Sequence, residues 1–382
     1  MRLFSALLTV VLLLPLSAGA EDAAPGFFAR SDTAAFRAML HRIPALMVTP
    51  GMARAEIGFG DLAAARSLPA PIVSSRLPAE VQSAARAVPP GPLAEAIGIP
   101  AGQWREQVGF APADIEQMIL FAAPPLWGGV YRLDPAAAAG VPAALQARGY
   151  ARVTEGGVTA LAAGEEGQID LTARAPGDPF RGMLGRSARV QVEGAVLRHG
   201  STWPILGALQ RAEAASARDD PAMAAMVGML EGLDRGVLLR AYLLPDASGI
   251  AVGDPLAAVT GRAPGGSGQG WRSLLLADFS TGVEATAVLV LSLGWPEGEA
   301  LEPLAEAVAR RWQEVATASG ASFGAMLGSL AEVEAQPGPE GLALLRLVVT
   351  GPVAESRAGL AVNRGFEAIY RALLQREMVF LP

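Results

Sequence analysis

Apolar and polar positions along this chain recur at two spacings, and the switches between them outline the elements. Phe36, Met39, Leu40 and Ile43 follow the helical spacing after Asp32, which can cap the helix, and Pro44 and Pro50-Gly51 end it. From Leu68 to Pro100 repeated prolines, among them Pro69, Pro71, Pro78, Pro89, Pro90 and Pro92, predict short helical turns and irregular surface structure. Met118 to Ala122 and Val130 to Leu133 read as strands on either side of Pro124-Pro125-Leu126-Trp127-Gly128-Gly129. Asp134-Pro135 then places an N-cap before a proline at the first helical position, where the missing N–H costs nothing, and the helix runs to about Arg148 before Gly149. Ala151 to Thr154 and Val158 to Ala162 flank Glu155-Gly156-Gly157, whose glycines suit a tight hairpin.

The second half opens differently and returns to this order only from Ala285. Arg189 to Leu197 alternates like a strand, Thr202 and Asp220-Pro221 begin helices, and Val237 to Leu244 reads as a strand. After Pro264-Gly265-Gly266-Ser267-Gly268-Gln269-Gly270, a loop or linker, Ala285 to Leu293 is an apolar run of strand length. An amphipathic helix from about Glu299 to Ala318 carries Leu301, Leu304, Val308, Trp312 and Val315 on one face, with Trp312 the safest core residue. Glu332 to Gln336 and Leu342 to Thr350 form a hairpin, and a closing helix carries Phe366, Ile369, Tyr370 and Leu373. Strand, helix, strand, strand thus occurs twice with little residue identity, so duplication is a hypothesis about topology and not a sequence repeat. The fold class is α+β, with antiparallel or mixed sheets covered by helices.

Composition changes the picture at the N-terminus. Residues 1–20 have the order of a signal peptide: Arg2, an apolar run from Leu3 to Leu16, and Ala18-Gly19-Ala20 before Glu21-Asp22. The run is shorter than the roughly 20 residues of a membrane-spanning helix, and no later segment is long and charge-free enough to compete. The expectation is cleavage after Ala20 and a mature protein in the periplasm or secreted. With no cysteine in the chain, lipid attachment, thiol chemistry and thiolate metal sites are excluded. The remainder divides into domains at 21–180 and 181–382, with a boundary in the Pro/Gly-rich stretch 175–179 and a softer one at 261–270. The formal charge of −7 gives no basic footprint for nucleic acid or anionic lipid. The basic residues are all arginine and asparagine occurs only at Asn363, a codon bias that carries no chemistry.

Candidate chemistry is sparse. Gly320-Ala321-Ser322-Phe323-Gly324 spells a nucleophile elbow, but a helix precedes it where a strand should, and both histidines lie upstream. An ordinary glycine-bounded turn is the plainer reading of Ser322. His41 sits at a helix end, where an imidazole meets the last carbonyls. His199 lies at a strand end; as a base it would need a nucleophile and an orienting acid that the sequence does not display. Neither histidine has a second metal-type ligand at a useful spacing, so no metal, cofactor or catalytic residue is assigned. Glu165-Glu166, Asp219-Asp220 and Glu332 with Glu334 read as solvated surface. Trp127, in a Pro/Gly-rich loop with little neighbouring cover, is the one interaction anchor put forward, although a Trp folded back on its own sheet edge is the commoner arrangement.

Trp104-Arg105, Gly109 through Ile115, Leu133-Asp134 and Leu145 through Tyr150 resemble a family of uncharacterised exported proteins and lipoproteins of high-GC bacteria. The shared features are a Trp, a Gly-hydrophobic-Ser/Ala-Pro-x-Asp segment, a strand, and a helix ending in Gly-Tyr. The resemblance spans about Asp61 to Gly164 and implies an extracytoplasmic α+β fold with no function attached; this chain lacks the lipobox cysteine of many members. The functional expectation is a non-enzymatic protein that binds another envelope protein or serves as an accessory envelope subunit. A carrier of an apolar small molecule is the alternative, and a hydrolase built on Ser322 or His199 the third reading.

Overall fold

The computed structural model describes residues 33–48, 55–69, 79–90, 99–124, 126–248, 250, 270–357 and 359–382. The leader Met1 to Ala20, Asp32 and the stretch Pro264 to Gln269 lie outside the described residues. Helix α1 (Ala34–Leu40) leads to strand β1 (Glu56–Asp61), followed by α2 (Leu62–Ser67), α3 (Ala79–Ala87) and α4 (Ala101–Val108). Then come β2 (Ile115–Ala123), β3 (Leu126–Leu133), α5 (Pro135–Ala147), β4 (Ala151–Glu155) and β5 (Val158–Ala163). β6 (Ala188–Glu193), β7 (Val196–Gly200), α6 (Trp203–Gln210), α7 (Pro221–Gly228) and β8 (Val237–Leu244) follow. The chain continues with β9 (Trp271–Ser280), β10 (Glu284–Gly294), α8 (Glu302–Glu314), α9 (Phe323–Leu327), β11 (Glu332–Pro337) and β12 (Leu342–Pro352). A small pair, β13 (Ala354–Glu355) and β14 (Ala361–Val362), precedes α10 (Arg364–Gln375).

The fold is α+β. Twelve strands form one sheet in the order β11-β12-β10-β9-β8-β1-β2-β3-β7-β6-β5-β4, and the registered pairs are antiparallel. Helices cover both faces, because the strands at its centre are apolar on both sides. In β10, Val288 and Val290 join a core with Phe36, Met39, Met223 and Met226 of α1 and α7. The alternate residues Leu289, Leu291 and Leu293 pack under Leu304, Val308 and Trp312 of α8 and Phe366 and Ile369 of α10. Beyond the centre, that second face is covered by α2, α4 and α5 through Leu62, Trp104, Val108, Val141 and Leu145.

Outward from the β8–β1 pair, β9 and β10 occupy the places that β2 and β3 occupy on the other side. Each third strand then leads into a helix (α8 or α5) and a hairpin whose first strand is the sheet edge (β11 or β4). The halves differ in that β12 pairs with β10 directly, whereas the β6–β7 hairpin separates β5 from β3. The stretch 175–179 lies between β5 and β6, which pair with each other.

Local chemistry explains most element ends. Asp134 accepts from the N–H groups of Ala136 and Ala137, and Asp220 from that of Met223, each followed by proline at the first helical position. Thr202 and Asn363 cap α6 and α10 in the same way. The single strand expected over Arg189 to Leu197 is instead a hairpin, β6–β7, turning at Gly194 with φ of +57°. Strands β1 and β9 were not expected from the sequence; β1 carries two glycines, and β9 is buried on both faces and shows no clean alternation.

Candidate functional site

One row of residues crosses the sheet on the face covered by α2 to α5: Tyr242 of β8, Gly58 of β1, Leu120 of β2, Gly129 of β3, His199 of β7 and Val190 of β6 are successive register partners. Two of the six are glycines, so the row is a trough. At Gly58 a Cβ would lie 2.7 Å from Pro89 Cβ, which shows how closely the chain leaving α3 crosses the strand. At Gly129 a Cβ would lie 2.6 Å from Leu120 Cδ2 and 2.7 Å from the Ile119 carbonyl. The His199 ring opposite Gly129 lies among Trp127, Phe180 and Tyr131, at centroid distances of 5.1, 5.2 and 5.7 Å.

Above this trough is a cavity of about 640 Å³. Its floor includes Gly58, Leu120, Tyr131, His199 and Tyr242, and its walls include Pro90, Leu126, Trp127 and the segment from Gly167 to Ser187. The volume is that of a small-molecule site, and most of the lining is apolar, with a few polar groups.

The segment from Gly167 to Ser187 is fastened at several points. Ser187 Oγ donates to the Ser201 carbonyl and accepts from the Gly167 N–H, and Ser201 Oγ in turn accepts from the Trp127 N–H at 3.2 Å. Phe180 is fully buried. Beside it Asp178 accepts from the Tyr150 hydroxyl at 2.7 Å and from the N–H groups of Phe180 and Arg181. Burial raises the Asp178 pKa, against the lowering effect of these donors, and burial together with the Asp178 carboxylate raises that of Tyr150 well above its usual value. Toward solvent the same segment exposes Ile169, Leu171, Met183 and Leu184, of which Ile169 and Leu184 line the cavity.

Polar groups in the cavity are few. His199 is 1% exposed, neither ring nitrogen has a hydrogen-bond partner, and burial pushes its pKa down to about 3, so the imidazole is neutral. The Arg186 guanidinium lies 4.8 Å over the Trp127 ring. Glu56 is exposed; burial first and its carboxylate second raise the pKa of the Tyr242 phenol.

Trp127, the anchor named from sequence, is the second residue of β3 and half-buried, where a loop position was expected. The structure brings it together with His199. Ser322 is elsewhere: it caps α9, its Oγ accepting from the Ala325 N–H, and it does not line the cavity. His41 ends α1 with Nδ1 3.2 Å from Ser216 Oγ. Glu332 and Glu334 pair with Arg235 and Arg346, and Glu166 accepts from the Trp203 N–H. Among the described residues no group of three side chains is placed to hold a metal ion, and no helix is long and apolar enough to cross a membrane. Sequence reasoning missed Leu120, Tyr131 and Tyr242 as lining residues; the available signal was the Trp127-Gly128-Gly129 run inside an apolar strand.

No protein-family model and no curated protein matches the chain. Among solved structures, crystal form III of TP0453 is similar at a TM-score of 0.36 and 10% identity, over 81% of this chain and 94% of that one. Crystal form IV of TP0453 has a TM-score of 0.36 and 10% identity over 84% and 96% of the two chains. A likeness of that degree carries no argument about fold or function.

Proposed function

We propose that the protein is a carrier that holds an apolar small molecule in the cavity over the Tyr242–Gly58–Leu120–Gly129–His199 row. The observation that carries this reading is the cavity itself: about 640 Å³, mostly apolar, floored by the sheet and walled in part by a segment pinned through Ser187. A sheet that buries apolar residues on both faces elsewhere would ordinarily fill such a space with side chains, since interiors pack densely. Here it is left open between Leu120, Tyr131, His199 and Tyr242 of the sheet and the segment from Gly167 to Ser187. The signal-peptide order of residues 1–20 supports a place of action outside the cytoplasm, in the periplasm or beyond.

The test uses diphenylhexatriene, a hydrocarbon whose fluorescence rises in apolar surroundings. The protein is expected to bind it saturably, and Leu120→Trp, which fills the trough from its floor, to weaken binding at least tenfold without changing the far-UV circular dichroism. Absence of binding by the unaltered protein, or unchanged binding by Leu120→Trp, defeats the carrier reading.

A second reading is binding to another envelope protein. The four exposed apolar residues Ile169, Leu171, Met183 and Leu184, gathered on one segment, favour it. Replacing Leu171 and Met183, the two that do not line the cavity, by Ser would abolish co-purification of a partner while leaving diphenylhexatriene binding in place.

A further inference from the structure

The polar groups around the cavity divide by depth. On its floor they are closed off: Tyr131, His199 and Tyr242 are 2% exposed or less, and the hydroxyls of Ser187 and Ser201 are taken up by backbone partners. The lining side chains with a charge or an amide that reach solvent are Glu56 and Gln168, both exposed, and Arg186, half-buried. An occupant would meet apolar surface within and polar groups only toward solvent, an arrangement that suits a molecule with an apolar body and one polar end.

Of the two charged groups, Arg186 is the one set among the apolar walls. It faces Ile169 across an antiparallel bridge, and its guanidinium lies 4.8 Å over the Trp127 ring; both neighbours line the cavity. Glu56, Ala122 and Trp127 are successive register partners, so two strand spacings, about 10 Å, separate the Glu56 backbone from Trp127. A cation flanked by apolar surface is only partly hydrated, which strengthens its attraction for an anion. The five N–H donors of a guanidinium are enough to serve an existing partner and a bound anion together.

We propose that the occupant is an amphiphile, an apolar chain with an anionic head, and that Arg186 holds the head on the solvent side of the cavity. This rests on the carrier reading and narrows it to one chemical class. A carboxylate and a phosphate ester share the required chemistry. A neutral alcohol gains no charge pairing, and a cationic head would be drawn to Glu56.

Diphenylhexatriene bound to the full chain is displaced at about pH 8, where a carboxylate is ionised. The competitors are laurate, dodecyl phosphate, dodecanol and dodecyltrimethylammonium, each below its micelle-forming concentration. The better of the two anions is expected to work at about tenfold lower concentration than dodecanol, the size of one hydrogen bond between charged groups, and their order tells a carboxylate head from a phosphate. In Arg186→Met, which keeps an apolar stem, that anion should fall to the level of dodecanol, with dodecanol unchanged; in Arg186→Lys part of the gap should return. Laurate labelled with carbon-13 at its carboxyl gives a readout that needs no variant: bound to the unaltered protein, it should stay ionised to lower pH than in phosphatidylcholine vesicles. Equal displacement by anion and alcohol, a gap that survives in Arg186→Met, or a bound carboxyl that titrates higher than in the vesicles overturns the proposal. So does dodecyltrimethylammonium outcompeting both anions, which would assign the head to Glu56. Failure to bind diphenylhexatriene at all would instead remove the carrier reading beneath it.

Discussion

His199 stands directly opposite Gly129 across strands β3 and β7, and its imidazole lies beside Trp127 and Tyr131. Gly129 itself is closed in by Leu120 and the Ile119 carbonyl, which leave no room for a Cβ. Gly129→Ala should therefore be felt out of proportion to one methyl group. The added carbon would lie 2.7 Å from a backbone carbonyl in the same sheet, which cannot move aside. A loss of about 1–3 kcal/mol in urea denaturation is expected, as for other overpacked interiors, together with weaker diphenylhexatriene binding.

His199 also ties stability to pH. Its folded-state pKa of about 3 lies below the usual 6.5, so the folded protein prefers the neutral ring. Its contribution is complete above pH 6.5 and is lost as pH falls toward 3, by up to about 1.4 kcal/mol per pH unit. Asp178, with its pKa raised by burial, acts in the opposite sense: its contribution grows as pH falls through its folded pKa. The difference between unaltered protein and His199→Phe isolates the histidine. Denaturation at a series of pH values should show the unaltered protein losing stability more steeply below pH 6.5 than the variant.

On the other side of the sheet's centre, Asp278 of β9 is fully buried and accepts from Arg240 Nε at 3.2 Å and Asn363 Nδ2 at 2.8 Å. Arg240 also meets Glu367 at 2.7 Å and lies 4.0 Å over the Phe366 ring. The network fastens α10 to the sheet through its cap and its first turn. Asp278→Ala would leave the buried Arg240 with only a half-exposed carboxylate, at a cost of about 3–5 kcal/mol in thermal or chemical denaturation. Asp278→Asn, which keeps an acceptor, should cost less. Equal losses in the two variants would show that the charge, and not the hydrogen bonds, is what matters.

Much of the fold was legible locally. Asp134-Pro135, Asp220-Pro221 and Thr202 announce their helices because a capping oxygen and a proline act within one turn of chain. Trp312 is fully buried as its helical face predicts. Strand β8 spans the residues its apolar run marks out, Val237–Leu244. Strand β9 was not legible: both of its faces are covered, so the alternation that betrays a half-exposed strand is absent. Strand β1 was hidden by Gly58 and Gly60, which weaken a strand on propensity alone and are there because the chain at Ala87 and Pro89 crosses within contact distance.

The sequence by itself determined the α+β class, the helix starts, the hairpins at Gly156-Gly157 and at residues 337–342 and the net negative charge, because each follows from residues near one another in the chain or from composition alone. Only the tertiary structure decided that twelve strands form one sheet with β1 at its centre, that Trp127 and His199 share a cavity, and that Ser322 does not reach it. Those facts depend on register between strands up to about 180 residues apart in the chain, such as β1 and β8, and register is set by how whole faces pack.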